Sequence, residues 1–244
     1  MILCNSDDNP QKQRSYLRVL LEKRIDGLIV ASVGEDSDLQ GSLANVRTPM
    51  VIVDRALEGV EADLVSIDHE QGAYLATRHL LELGHREIAC IGGPASTSTA
   101  QLRLAGFRRA LAEAGVAVAD EHIVNSDFTS LGGYAAAAQL LDGQRPTAIF
   151  AGNDMIGIGV LRAAAERNIC VPGELSVIGF DDIQLPALTT VGQSIRELGE
   201  SAAALLLSRI AQPLRGAPEQ RIVAPKIVLR ESTAPRPDLF NEYR

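Results

Sequence analysis

The chain has no tryptophan, and its aromatic residues make up only 4% of 244. A core without large rings is filled by aliphatic and small side chains, which suits helices packed closely on a parallel sheet. Cysteine is as sparse. Cys4, Cys90 and Cys170 are odd in number and far apart, which leaves no disulfide framework and no zinc-ligand spacing. Each adjoins an apolar run, and the expectation is three buried free thiols in a reducing, cytoplasmic setting. Basic runs are missing, and the net charge is −8. Such a chain lacks the electrostatic footprint needed to hold nucleic acid or an anionic membrane surface by itself. No stretch approaches the roughly 20 apolar residues of a membrane span. Met1–Asn5 has neither the charged region nor the long apolar core of a secretion signal.

Catalytic signatures are also absent. No H-E-x-x-H occurs, so no metal is expected. Gly92-Gly93-Pro94 and Gly157-Ile158-Gly159 are not followed by Lys-Ser/Thr and do not meet dinucleotide spacing, so no cofactor is expected either. His69, His79, His85 and His122 are scattered, without a Ser or Cys partner at a telling spacing. They read as surface or helix-terminal, and an enzyme would have no nucleophile–base pair to use.

What is present is alternation. Ile2–Cys4 reads as a short strand. Asp8 or Asn9 can cap a helix running to Lys23, with Tyr16, Leu17, Val19, Leu20 and Leu21 near its inner face. A turn and buried strand follow over Ile25–Ala31, then a helix over 36–45, a strand over Met50–Val53 ending at Asp54-Arg55, and an extended piece over Asp63–Ile67. A second series begins with a helix from His69 to Leu83. Strands over 88–91, 122–125, 148–150 and 175–178 then alternate with helices over 100–114, 133–141 and 153–167. A helix over Ile195–Ala211 and two closing strands, 221–223 and 227–229, complete the pattern. The reading is α/β, with more strands than one compact sheet usually holds. Two Rossmann-like lobes with parallel sheets, joined by hinge crossings near Ile67 and Gln193 and a third at Pro225, fit better. The expected boundaries are 1–66 with 194–224 for the first lobe and 67–193 with 225–234 for the second, leaving 235–244 as a loosely held tail.

The stretch Phe150–Asp182 carries the site grammar. At both ends an apolar run stops at small and polar residues, Gly152-Asn153-Asp154 and Gly179-Phe180-Asp181-Asp182. In an open parallel sheet this is the carboxyl edge, where ligands bind. An amide at 153 and a carboxylate at 181 can serve hydroxyl groups, which both donate and accept.

Several segments occur together in order: Leu81-Glu82-Leu83-Gly84-His85-Arg86-Glu87-Ile88-Ala89, Gly92-Gly93-Pro94, Arg103-Leu104-Ala105-Gly106-Phe107, Gly152-Asn153-Asp154, Val171-Pro172-Gly173-Glu174-Leu175, Val177-Ile178-Gly179-Phe180-Asp181-Asp182, Leu188-Thr189-Thr190-Val191 and Arg230-Glu231-Ser232-Thr233. As an ordered set they resemble the effector-binding core of lac-repressor-like (LacI/GalR) transcription regulators and, through them, periplasmic sugar-binding proteins. The resemblance implies two Rossmann-like lobes that close on a small effector, usually a sugar or purine, in a homodimer that reaches operator DNA through an N-terminal helix-turn-helix headpiece. Two departures stand out. No headpiece is present, and the chain starts at what would be the second strand of a truncated first lobe.

The resemblance also orders the candidate residues. Asp54 and Arg55 would be a hydroxyl-binding pair, or else a strand-end ion pair. Arg103 alone reads as a solvated helix-face arginine, whereas the resemblance points it into the cleft. Phe128 could stack on a sugar face or fill the core. Asn153 could cap a helix, bind the ligand, or both. Asp154 reads as structural, favouring the helix N-terminus through its dipole. Asp181 is the cleft carboxylate and Asp182 its structural neighbour. Gln193 could reach the ligand or satisfy hinge backbone groups. The set Asp54, Arg55, Arg103, Phe128, Asn153, Asp181 and Gln193 balances donors and acceptors around one ring, which suits a neutral, ribose-like pentose better than a phosphate. The alternatives from other classes are an α/β enzyme acting on a sugar or nucleotide and a transporter's solute-binding protein.

Overall fold

Asn9 fixes where the first helix begins: its Oδ1 accepts the Lys12 amide at 3.0 Å, satisfying one of the unpaired donors of the first turn. The computed structural model describes residues 1–6, 9–31, 37–44, 46–57, 59–143, 145–183, 185–212 and 216–236; Asp8, the other expected cap, lies outside them. In chain order the elements are α1 (Pro10–Glu22), β1 (Leu28–Ala31), α2 (Ser37–Ala44), β2 (Met50–Val53), β3 (Asp63–Ile67), α3 (His69–Glu82), β4 (Ile88–Gly92), α4 (Ser98–Glu113), β5 (Ile123–Asn125), α5 (Ser130–Asp142), β6 (Ala148–Ala151), α6 (Asp154–Glu166), β7 (Ser176–Asp181), β8 (Thr189–Gly192), α7 (Ile195–Ala211), β9 (Gln220–Val223) and β10 (Lys226–Val228). The chain divides into two compact units, Met1–Ile67 with Ser194–Val223 and Asp68–Gln193 with Ala224–Arg244.

The first unit has a parallel sheet in the order β1-β2-β3-β9. Alternation along β2 sends Met50 and Ile52 to one face, where they pack with Leu17, Val30 and Leu43 beneath α1 and α2. Val51 points to the other face and joins Val65, Leu198 and Leu205 beneath α7. The buried Asp63 carboxylate is held by Arg209 Nε at 2.9 Å, Arg209 Nη2 at 2.5 Å and the Glu219 amide at 2.7 Å, which offsets its desolvation. Two sequence expectations change here. Ile2–Cys4 forms no strand, and Leu3 is 90% exposed, because a three-residue apolar run outside the sheet has no ladder to hold it extended. β1 is an edge strand rather than a buried one, with Ile29 44% exposed. On α1, Leu17 is buried as expected, but Val19 is exposed.

The second unit has the sheet order β10-β8-β7-β6-β4-β5. All pairs are parallel except β10 on β8, which is antiparallel. Strands β4, β6 and β7 are buried on both faces, which explains their unbroken apolar runs. Helices α5 and α6 cover one face with Ala136, Ala137, Ile156, Val160, Ala163 and Ala164. Helices α3 and α4 lie on the other, where Phe107 stacks on Phe150 at 6.2 Å. Both helix pairs use the same device: a glycine on one helix against the backbone of the other, and a tyrosine hydroxyl on a glutamate, Tyr74 on Glu113 and Tyr134 on Glu166, each at 2.6 Å. Among the described residues, no helix is long and apolar enough to cross a membrane. Cys90 is buried, while Cys4 and Cys170 are free and exposed rather than buried.

The expected loose tail is fastened as far as Arg236. Ser232 Oγ donates to Val177 O at 2.6 Å and accepts the Thr189 amide at 2.8 Å. His79 Nε2 meets Thr233 Oγ1 at 3.0 Å, His85 Nε2 donates to Ala234 O at 3.0 Å, and the Arg236 amide donates to Leu83 O at 2.9 Å. Residues 237–244 of that tail lie outside the described residues. His85 is therefore an interior clasp rather than a surface residue. Its Nε2 also lies 3.0 Å from Ser176 Oγ, yet both residues are buried and engaged by the Ala234 backbone, so this Ser–His pair closes the strap. Burial holds both His79 and His85 below the usual imidazole range. The unfolded chain therefore takes up protons near pH 6.5 that the folded unit refuses, and stability falls as pH drops below that value and is complete above it. Thermal melts between pH 8 and 6 should show a falling melting temperature whose slope is reduced in His85→Gln. An equal slope in the variant would remove His85 from the account. Asp154, whose carboxyl is pushed up to about 6, titrates in the opposite sense at the acid end of this window, but it does so in the wild type and the variant alike, so the difference between the two slopes reports His85.

Candidate functional site

In the second unit the chain path reverses beside β4: β5 lies on one side and β6 on the other. The carboxyl ends of β4 and β6 flank that switch point, where side chains from neighbouring loops can converge without a strand between them. The β4 end supplies Gly92-Gly93-Pro94. The β6 end supplies Gly152-Asn153, and β7 ends one strand further on at Asp181.

Arg103, on α4, is buried, with 6% of its surface exposed. The alternative of a solvated helix-face arginine is thereby excluded. Its Nη1 donates to Gly152 O. Its Nη2 donates to Asp181 Oδ1 at 3.2 Å and lies 3.3 Å from His69 Nδ1. The guanidinium sits 3.8 Å from the centre of the Phe180 ring and 5.9 Å from that of Phe128. Gln193 Nε2 donates to the same Asp181 oxygen at 2.5 Å. The arginine charge is thus paired with the Asp181 carboxylate, fixed in direction by a backbone carbonyl and backed by an aromatic face.

Phe128 sits at the end of the loop after β5. Asn153 Nδ2 donates to its carbonyl at 3.1 Å, while Asn153 Oδ1 caps α6 by accepting the Ile156 amide at 2.8 Å. The cap anticipated for this side chain is therefore present, and its amide also braces the Phe128 turn. A Cβ on Gly93 would lie 2.1 Å from the Phe128 ring, so only glycine lets the ring lie against the end of β4. All five second-unit candidates, Arg103, Phe128, Asn153, Asp181 and Gln193, are joined in one contact network. Asp54 and Arg55 stand together, half-buried, at the carboxyl end of β2 in the first unit. There the Asp54 amide donates to Val65 O at 2.9 Å.

Backbone strain marks these edges. Among the described residues, six non-glycine residues have positive φ. Arg24 and Asn168 follow the ends of α1 and α6, a common left-handed helix stop. The other four are Asp54 (82°), Phe128 (63°), Asp181 (117°) and Asp182 (60°). Three of these four are candidate site residues, and such strain persists where surrounding contacts over-determine it.

Three further groups lie at this edge and were not among the candidate ligand residues. His69, expected at the surface or at a helix end, is the first residue of α3 and is buried there, stacking on Phe180 at 5.9 Å. Phe180 should face away from Asp181 in a regular strand, but the turn at Asp181 lets Arg103 meet both. Asp154, expected to act on the helix dipole, instead turns inward. It accepts the Thr190 hydroxyl at 2.6 Å and the Ile183 amide at 2.9 Å. Burial raises its carboxyl to about 6 against those two hydrogen bonds, with Asp181 and Asp182 pushing the same way as burial. Asp182 turns away from the network and pairs with Arg230. Among the described residues, no group of three or more His, Cys, Asp or Glu could hold a metal ion.

Residues 77–233 match the periplasmic binding protein-like domain family. The chain is 41% identical over 252 residues to the HTH-type transcriptional repressor PurR of Yersinia enterocolitica, covering all of this chain and 73% of that protein. A LacI family transcriptional regulator from Enterococcus faecium, solved with bound ribose, is 34% identical, with a TM-score of 0.80 over 96% of this chain and 87% of that one. The transcriptional regulator CelR in complex with cellobiose is 31% identical, with a TM-score of 0.83 over 92% of this chain and 71% of that one.

Proposed function

Because this chain belongs to the LacI family of transcriptional regulators, we propose that it is the effector-sensing core of one, and that its effector is a small neutral sugar of the ribose class. The observation that carries the ligand class is the network of Arg103, Asp181 and Gln193 beside Phe128. Arg103 is already paired with Asp181, so a charged phosphate would leave Asp181 facing an anion. A sugar hydroxyl can donate to Asp181 while accepting from Arg103 or Gln193, and the C–H face of the ring can cover Phe128. Asp54 and Arg55 are proposed as hydroxyl-binding groups at the carboxyl edge of the first unit's sheet. The ribose-bound relative supports this class, since its shared fold carries a pentose.

A thermal-shift panel tests the reading. D-ribose at about a hundred times its dissociation constant should add about 2.7 kcal/mol to stability, and hexoses, polyols and purines should add less. A shift with purines but none with ribose would replace the sugar by a base. A shift with inorganic phosphate alone would contradict the charge argument.

A further inference from the structure

We infer that Asp154 is a positioning residue for effector binding: its carboxylate fastens the Asp181–Ile183 turn to β8 and so holds Asp181 towards Arg103 and Gln193. Asp154 is 1% exposed and lies beneath the edge, out of reach of a ligand. One oxygen takes the Ile183 amide at 2.9 Å, just beyond the two strained residues. The other takes the Thr190 hydroxyl of β8 at 2.6 Å. The turn is therefore gripped at three places: Gln193 on Asp181, Arg230 on Asp182 and Asp154 on Ile183.

Helix capping does not account for this carboxylate, because Asn153 already caps α6. The fold also makes room for it at a particular place. A Cβ on Gly179 of β7 would lie 2.1 Å from Asp154 Oδ1, so the strand that carries Asp181 leaves a notch for the anchor. Burying a carboxylate beside Asp181 and Asp182 is unfavourable, as its raised pKa records. A group kept in that condition, tied to a strained turn next to a ligand-binding carboxylate, has the placement of a functional support.

The inference rests on the reading that Asp181 binds the effector, and two readouts separate them. The first needs no ligand. Hydrogen exchange at the Asp182 and Ile183 amides should quicken by about tenfold or more in Asp154→Ala, with α5 and β4 amides unchanged. Asp154→Asn should exchange like the wild type, because its carbonyl can accept from Ile183 and its amide can donate to Thr190. The second is ribose affinity, which should weaken about tenfold or more in Asp154→Ala and stay within about threefold in Asp154→Asn. Should Asp154→Ala fail to fold, Thr190→Val, which frees one anchor, is expected to quicken exchange at Ile183 in the same local pattern. Unchanged exchange at the turn, or an increase spread evenly over the second unit, would overturn the inference. Local quickening in a protein whose wild type binds no ribose would leave the positioning role standing and remove the sugar.

Discussion

Arg103→Ala is expected to weaken the proposed ribose binding by between about thirtyfold and several thousandfold, the range that corresponds to the roughly 2–5 kcal/mol lost when one partner of a desolvated, hydrogen-bonded charge pair is truncated. The guanidinium joins Gly152, Asp181 and His69 while lying on Phe180, so its removal takes away a proposed ligand donor and the orientation of the carboxylate together. The fold should survive, because Asp181 keeps Gln193 and its side chain is 31% exposed. Arg103→Lys should recover little, since an ammonium is a point donor and neither spans the fork of contacts nor stacks in the same way. Calorimetric titration of the variants checks this. Affinity within about threefold of the wild type in Arg103→Ala would return this arginine to a purely structural role.

The largest stability effect is expected at Gly106, far from any proposed ligand contact. A Cβ there would sit 2.0 Å from Glu70 O and 2.9 Å from the Tyr74 amide nitrogen, both backbone atoms of α3. Neither can swing aside, so α3 and α4 would have to separate and open the packing around Phe107 and Ala110. Against this, alanine is the better helix former by about 1 kcal/mol. Overpacking wins: Gly106→Ala should lose about 3 kcal/mol net, lowering the melting temperature by roughly 6–12 °C. Gly159 on α6 makes the matching contact at 2.3 Å from Ser130 O, and its alanine variant should behave alike. Gly199 on α7 has nothing within 4 Å of a Cβ and is the internal control. There the same substitution should stabilise by up to about 1 kcal/mol. Equal melting shifts at positions 106 and 199 would show that the helix pair has slack.

These two positions also show what could be read in the chain beforehand. Apolar runs of four to six residues closed by glycine or an acidic residue were enough to locate β4, β6 and β7, because strands buried on both faces tolerate little else. The proposed ligand edge followed from where those runs stop. The strain did not, since Phe128, Asp181 and Asp182 adopt positive φ without a glycine to announce it. His69 gave no signal because its stacking partner, Phe180, is far away in sequence and meets it only when α3 packs on β7. The histidine clasp on residues 232–236 joins positions some 150 apart in sequence, beyond any local pattern. Ile2–Cys4 failed as a strand for the converse reason: its composition suits a sheet in which no neighbouring strand pairs with it.

A crystal structure of this chain with D-ribose tests the central claim most directly. The sugar should lie at the carboxyl ends of β4, β6 and β7, with hydroxyls on Asp181 and Arg103 and one ring face against Phe128. Ribose bound elsewhere on the chain, or no ribose at a concentration that saturates the thermal shift, would contradict it.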